Sequence, residues 1–255
     1  MGMINIDGFH INGDVLVEYK GPAESVEVPS CVRVISKYAF YENLKLTDVS
    51  LKSPITSIGE CAFYGCENLR KIDLPNTLTN IKSEAFLRCR SLKNILLPSS
   101  VTKMGKDVFF GCEDIEIAVD GGNKRYHSEG NCLIETASKT AVAVRKNSII
   151  PLDGSVTRIG EGAFGACDNI TEVVIPSVIT SIGNLAFGYC FSLSSVTIPA
   201  SVTMIGESAF EDCFGLRSII YGGTSEQWQA IEKGEDWRYH TRNLTVHCID
   251  NDITY

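Results

Sequence analysis

The chain has 255 residues, 44% apolar and 21% charged, with a net charge of −8. This is enough to bury a sizeable core, and the balance is that of a folded rather than a disordered chain. The acidic charge argues against a nucleic-acid partner, which needs a basic surface, and no stretch approaches the roughly 20 apolar residues of a membrane helix.

Met1 to Asp14 lacks a basic start followed by an apolar run, so it does not read as a secretory signal. The expected location is the cytoplasm if the chain is whole. It is the cell surface or the outside if a leader was removed. Residues 1–28 read as a β-hairpin cap, with alternating apolar residues on either side of Gly13-Asp14.

A repeat then takes over. Ala-Phe recurs at Phe40, Phe63 and Phe86, becomes Val108-Phe109, and returns at Phe164, Phe187 and Phe210. Successive Phe are 23 residues apart, apart from one gap of 55. A fixed period of this size marks a stacked array. Five residues before each Phe stands Ile or Met (Ile35, Ile58, Ile81, Met104, Ile159, Ile182, Ile205), usually followed by Gly. After each Phe comes a short alternating run, such as Lys71-Ile72-Asp73-Leu74, which reads as a strand ended by proline at Pro75, Pro98, Pro176 or Pro199. One unit cannot bury its own apolar face. Stacking places each Ile, Phe and Leu on its counterpart, with the strands in a parallel sheet and Glu-x-Ala-Phe as a turn or short helix opposite.

Chain order then gives a first repeat block over 29–119, an insertion over 120–150 and a second block over 151–221. A C-terminal cap over 222–255 completes one continuous solenoid domain. Tyr126 to Glu135 in the insertion aligns with Phe9 to Glu18 and predicts a second hairpin. In the cap, Thr224-Ser225-Glu226-Gln227 fits a capping box, with Trp228 and Ile231 on one helical face and Leu244 to Cys248 as a last strand.

Ser57-Ile58-Gly59-Glu60-Cys61-Ala62-Phe63-Tyr64-Gly65-Cys66-Glu67-Asn68-Leu69 resembles the BspA-type leucine-rich repeat, as does Thr180 to Phe187. The resemblance implies an α/β class fold, a right-handed leucine-rich-repeat solenoid with a parallel sheet, short strands, turn or short-helix segments and two hairpin insertions. It also implies a non-catalytic module that binds protein or cell-surface ligands, since many such proteins are bacterial surface adhesins. The alternative is a structural scaffold inside the cell.

The motifs that carry chemistry are absorbed by the repeat. Cys66, Cys89, Cys112, Cys167, Cys190 and Cys213 each lie three residues after a ladder Phe, where Asn43 stands in the first unit. They read as inward residues and free thiols. No Cys-x-x-Cys or His-x-x-x-His occurs, and His10, His127, His240 and His247 are scattered, so no metal site is expected. Gly160-Glu161-Gly162-Ala163-Phe164-Gly165 matches a dinucleotide-binding pattern but sits in the register of Gly59 to Phe63. No catalytic residue, cofactor or enzyme activity is expected. The candidate interaction patch is the residue after each ladder Phe in the first block: Tyr41, Tyr64, Leu87 and Phe110. An apolar row there fits an exposed patch or a row packed under its own turn.

Overall fold

The computed structural model describes residues 3–145 and 148–255. Met1 and Gly2, from the N-terminal cap, and Lys146 and Asn147, from the insertion, lie outside the described residues. The chain divides into two compact units, Met1–Ser128 and Glu129–Tyr255.

Each unit is a stack of coils, and each regular coil carries two short strands rather than one. The Ile five residues before the ladder Phe belongs to a two-residue strand. Val34–Ile35, Ser57–Ile58, Asn80–Ile81 and Lys103–Met104 pair in parallel, as do Arg158–Ile159, Ser181–Ile182 and Met204–Ile205. The longer strands before proline form the second ladder. Ser25–Glu27, Asp48–Ser50 and Lys71–Asp73 pair in unit 1, and Glu172–Val174, Ser195–Ile198 and Ser218–Tyr221 in unit 2. In register, Val49 lies on Ile72, and Val196 on Ile219, all buried.

The third side of the coil is a turn in every regular repeat, not a helix, and the backbone shows why. The residues two before and two after each ladder Phe have positive φ, as at Tyr38 (63°) and Glu42 (50°), or Leu185 (50°) and Tyr189 (61°). Successive amides therefore point in opposite senses. The N–H groups of Tyr38, Phe40 and Glu42 donate to Glu60, Ala62 and Tyr64 in the next coil, at 3.1, 2.8 and 2.7 Å. Those of Ala39, Tyr41 and Asn43 turn back to Ser36, Tyr38 and Phe40. The same alternation recurs at Leu185, Phe187 and Tyr189. Half of the turn's donors are thus spent on the neighbouring coil, which an α-helix would not allow.

Non-glycine residues pay for positive φ in backbone strain. Arg88 is exposed at φ 58°, between Gly65 (67°) and Gly111 (72°) in the same register. Arg88→Gly is expected to raise unit 1 stability by about 0.5 kcal/mol, and Gly111→Ala to lower it by about 1–2 kcal/mol. Chemical denaturation of the two variants measures both, and shifts of the same sign would refute the argument. The glycine that usually follows the Ile has a different cause. A Cβ on Gly206 would lie 2.5 Å from the backbone nitrogen of Asn184, so the coils approach closely here.

Inside, the ladder rings stack as expected. Phe40, Phe63, Phe86 and Phe109 follow one another at 4.7, 5.3 and 5.8 Å, nearly parallel. Phe164, Phe187 and Phe210 do so at 4.6 and 5.1 Å. Tyr19 and Phe9 extend the first column into the N-terminal cap.

The caps differ in detail from the sequence reading. The N-terminal cap has three antiparallel strands, Met3–Ile6, Phe9–Asn12 and Val15–Tyr19, and the last pairs in parallel with Val34–Ile35. In unit 2 the strand that opens the first coil is Thr140–Ala143, which hairpins with Cys132–Glu135 and pairs with Arg158–Ile159. That is one strand later than the alignment of Tyr126–Glu135 on Phe9–Glu18 places it. Gly-Asp and Gly-Asn turns look alike locally, and only pairing to the coil distinguishes their strands.

At the C-terminus the capping box is present. Thr224 accepts from the Gln227 amide, and Gln227 accepts from the Thr224 amide. The helix Ser225–Ala230 buries Trp228 completely. Beyond it lies an eighth coil that the sequence conceals. Glu232–Lys233 pairs with Met204–Ile205, and the amides of Ser208, Phe210 and Asp212 donate to Glu235, Trp237 and Tyr239. Thr245–His247 then continues the longer-strand ladder from Ser218–Tyr221, and Asp252–Thr254 closes it antiparallel.

Candidate functional site

The cysteine row shows how completely the repeat uses its polar groups. Cys66, Cys89 and Cys112 each donate Sγ–H to the carbonyl of the ladder Phe one coil back, at 3.0, 3.1 and 3.0 Å. Cys190 and Cys213 do the same to Phe164 and Phe187. All ten cysteines are free thiols. Burial pushes Cys66 and Cys213 up to about 12, and Cys89 and Cys190 well above their ordinary value. A thiol held neutral in this way is a poor nucleophile.

The sign of the pH dependence follows. In the unfolded chain Cys66 and Cys213 ionise near 9, whereas in the folded state they keep the proton to about 12. Their contribution is fully present below pH 9 and is lost as pH rises. The folding constant falls about tenfold per pH unit per thiol across that window. Denaturation at pH 8 and pH 10 measures the fall, and a flat profile would contradict it. Alkylation at pH 8 is expected to reach the exposed Cys31 while the ladder thiols react only after unfolding.

No three His, Cys, Asp or Glu side chains converge among the described residues in a way that would hold a metal ion. Gly160 to Gly165 lies in a coil turn, with Gly162 at φ 60° two before Phe164, and no helix follows it. Two basic residues of the first block are tied into cross-coil ion pairs: Arg90 to Glu67 and Glu113, and Lys93 to Asp114.

What the repeat does not dictate is the outward side chain of each turn. The alternation that sends Phe40 inward sends Tyr41 outward. Tyr41 and Tyr64 stack at 4.9 Å, and Tyr38 meets Tyr41 edge-on at 5.2 Å. Lys37 lies 4.7 Å over the Tyr38 ring and pairs with Glu60, whose hydrogen bond raises its pKa. A hollow of about 360 Å³ opens beside these rings, lined by Glu18, Tyr19, Tyr38, Ala39 and Tyr41. The four residues of the expected patch are not equivalent. Tyr41 is 43% exposed, Tyr64 and Leu87 are half-buried, and Phe110 is buried at 9%. The structure brings Tyr41 and Tyr64 together with Tyr38, a neighbour outside the row read from sequence.

Unit 2 exposes rings at another register. Gly165 and Gly188 are buried after their Phe, but Phe191 and Phe214, four residues after theirs, stand out and stack at 5.6 Å. Their recurrence at a spacing of 23 was a visible signal, at positions held by Leu44, Glu67, Arg90, Glu113 and Asp168 elsewhere. A separate trough of about 550 Å³ lies beside the strand Glu172–Val174, with Arg145, Ile149, Leu152 and Phe164 among its walls.

The family model for the BspA-type leucine-rich repeat region matches six copies, over residues 16–126 and 143–234. The chain belongs to this family. Among solved structures it is similar to the pneumococcal vaccine antigen PcpA, at 18% identity and a TM-score of 0.67, covering 90% of this chain and 63% of that one. It is also similar to a leucine-rich repeat protein from Eubacterium ventriosum, at 22% identity and a TM-score of 0.61, covering 89% and 72%. A leucine-rich cell surface protein from Faecalibacterium prausnitzii matches at 24% identity and a TM-score of 0.46, covering 80% and 73%. No curated protein matches the chain. BspA-type membership supports a protein-binding repeat module, and no described helix is long and apolar enough to cross a membrane.

Proposed function

We propose that this BspA-type solenoid is a non-catalytic, adhesin-like module that binds a protein at a cell surface through the turn side of unit 1. The observation that carries the reading is the Tyr38–Tyr41–Tyr64 cluster. In it the Tyr41 ring touches both Tyr38 and Tyr64, and Tyr38 and Tyr41 are exposed, beside a hollow and a Lys–Glu pair. Tyrosine is enriched at interface hot spots because a rigid ring with a polar tip contributes area at small entropic cost. By contrast, the outward strand residues of unit 1 carry no ring: Lys71, Asp73 and Asn94 are charged or polar, and Leu96 is an exposed aliphatic. The likeness to a vaccine antigen fits display outside the cell.

The test is a binding screen of the chain against immobilised extracellular-matrix and host cell-surface proteins, repeated with Tyr41→Ser/Tyr64→Ser. One specific partner is expected, with affinity falling at least tenfold in the variant while the denaturation midpoint stays close to the parent's. Equal binding by the variant would sink the proposed face, and specific binding to none of the panel would sink the adhesin reading.

A further inference from the structure

Unit 2 carries a second surface, independent of the tyrosine cluster. Phe191 and Phe214 are 44% and 51% exposed, and their rings stack within 8° of parallel. The His240 ring continues the stack at 6.3 Å, and Tyr239, 46% exposed, lies against it at 3.8 Å. Tyr189 meets Phe191 edge-on at 6.5 Å. The result is a ridge of rings crossing three successive coils.

The charges around this ridge have one sign over most of its length. From Ile159 to Leu216 the sequence contains no Lys, Arg or His, but it contains Glu161, Asp168, Glu172, Glu207, Glu211 and Asp212. Three of these carboxylates bond to residues that carry the rings. Asp168 accepts the Phe191 amide at 3.3 Å, Glu211 accepts the Tyr189 hydroxyl at 3.1 Å, and Asp212 holds His240 Nδ1 at 2.5 Å. Basic residues appear at the far end only. Arg217 is turned back onto the carbonyls of Phe214 and Leu216, and Arg242 follows in the last coil. Elsewhere the fold lays its own cations on its rings, Lys233 over Trp228 and Arg238 over Tyr255. Among the described residues no cation lies over Phe191 or Phe214 in this way.

We propose that the Phe191–Phe214 ridge binds an extended, arginine- or lysine-rich peptide segment of a partner protein. The aliphatic stems of the basic side chains would lie across the exposed rings, and their charged heads would reach Asp168, Glu211 and Asp212. Rings attract cations, and carboxylates beside them select a basic over an acidic segment. Neither feature suffices alone: isolated carboxylates bind basic chains without register, and bare rings also accept purely apolar side chains.

The experiment uses the full chain and a fluorescent peptide of alternating Arg and Gly, with a Glu-Gly peptide as control, read by anisotropy at physiological salt. Phe191→Ser/Phe214→Ser leaves the net charge unchanged and is expected to weaken Arg-Gly binding at least tenfold. Glu211→Gln/Asp212→Asn should weaken it similarly, and Tyr41→Ser should leave it as in the parent. Denaturation curves confirm that each variant is folded. Parent-like binding by the folded Phe191→Ser/Phe214→Ser variant would overturn the proposal, since general charge attraction would then suffice. Equal binding of the Glu-Gly peptide, or no binding of the Arg-Gly peptide, would overturn it too.

Discussion

Phe187→Ala is expected to destabilise unit 2 by about 3–5 kcal/mol. Phe187 is fully buried between Phe164 at 4.6 Å and Phe210 at 5.1 Å, with all three rings near parallel. Cavity cost depends on how far the surroundings can collapse, and here they cannot collapse far. The coils above and below are held apart by the backbone bonds from Phe164 to Ala186 (2.7 Å) and from Phe187 to Ala209 (2.8 Å). Phe187→Leu keeps most of the volume and is expected to cost roughly 1 kcal/mol. Both tryptophans of the chain, Trp228 and Trp237, lie in unit 2, so their fluorescence during denaturation reports on this unit. A midpoint for Phe187→Ala within error of the parent would mean that the ring column is not what couples the coils.

Trp228→Ala is expected to cost about as much, roughly 3–5 kcal/mol, and to do something that the ladder variant does not. The Trp228 ring plugs the end of the stack. It meets Tyr221 at 5.1 Å and Trp237 at 5.9 Å, and its Nε1–H donates to the Tyr255 hydroxyl at 3.0 Å. Removing it opens the apolar end of the solenoid, where Val246 and Leu244 lie buried. An uncapped solenoid end associates with other apolar surface. The variant is therefore expected to sediment as concentration-dependent oligomers, whereas Trp228→Phe, which loses the Tyr255 bond but keeps an aromatic plug, stays monodisperse. A stable, monodisperse Trp228→Ala protein would contradict the capping role.

Seven coils were legible in the sequence because each repeats a large ring at a fixed spacing, and a buried ring tolerates little substitution. The eighth was not, for a physical reason. At its end only one face of the coil has a partner, so the pattern relaxes. Trp237 takes the register of Ala209, Arg238 that of Phe210, and Thr241 that of Cys213. The helix Ser225–Ala230 adds length, so the spacing shifts from 23 to 28. The turn's alternating backbone was also hidden. Gly65, Gly111 and Gly162 mark positive-φ positions, but Tyr38, Glu84 and Leu185 occupy the same conformation without any local preference for it. Inter-coil hydrogen bonds hold them there.

The candidate site divides in the same way. That Tyr41 and Tyr64 share a row follows from the period. That Tyr41 is open while Phe110 is buried does not, because depth depends on packing around each coil rather than on register. Tyr38 lies outside that row because it precedes the ladder Phe, and Phe191 and Phe214 because they stand four residues after theirs rather than directly after.

The repeat fixes the inward residues of every coil, and the outward residues of the turns are free to carry recognition. Amide hydrogen exchange of the chain, alone and bound to the surface protein that the screen identifies, tests this most directly. Added protection is predicted over the turn segments around Tyr38–Tyr41 and Tyr64, with the outward strand residues Lys71, Asp73 and Asn94 unchanged. Protection confined to the strand face, with none at the tyrosine turns, would contradict the account.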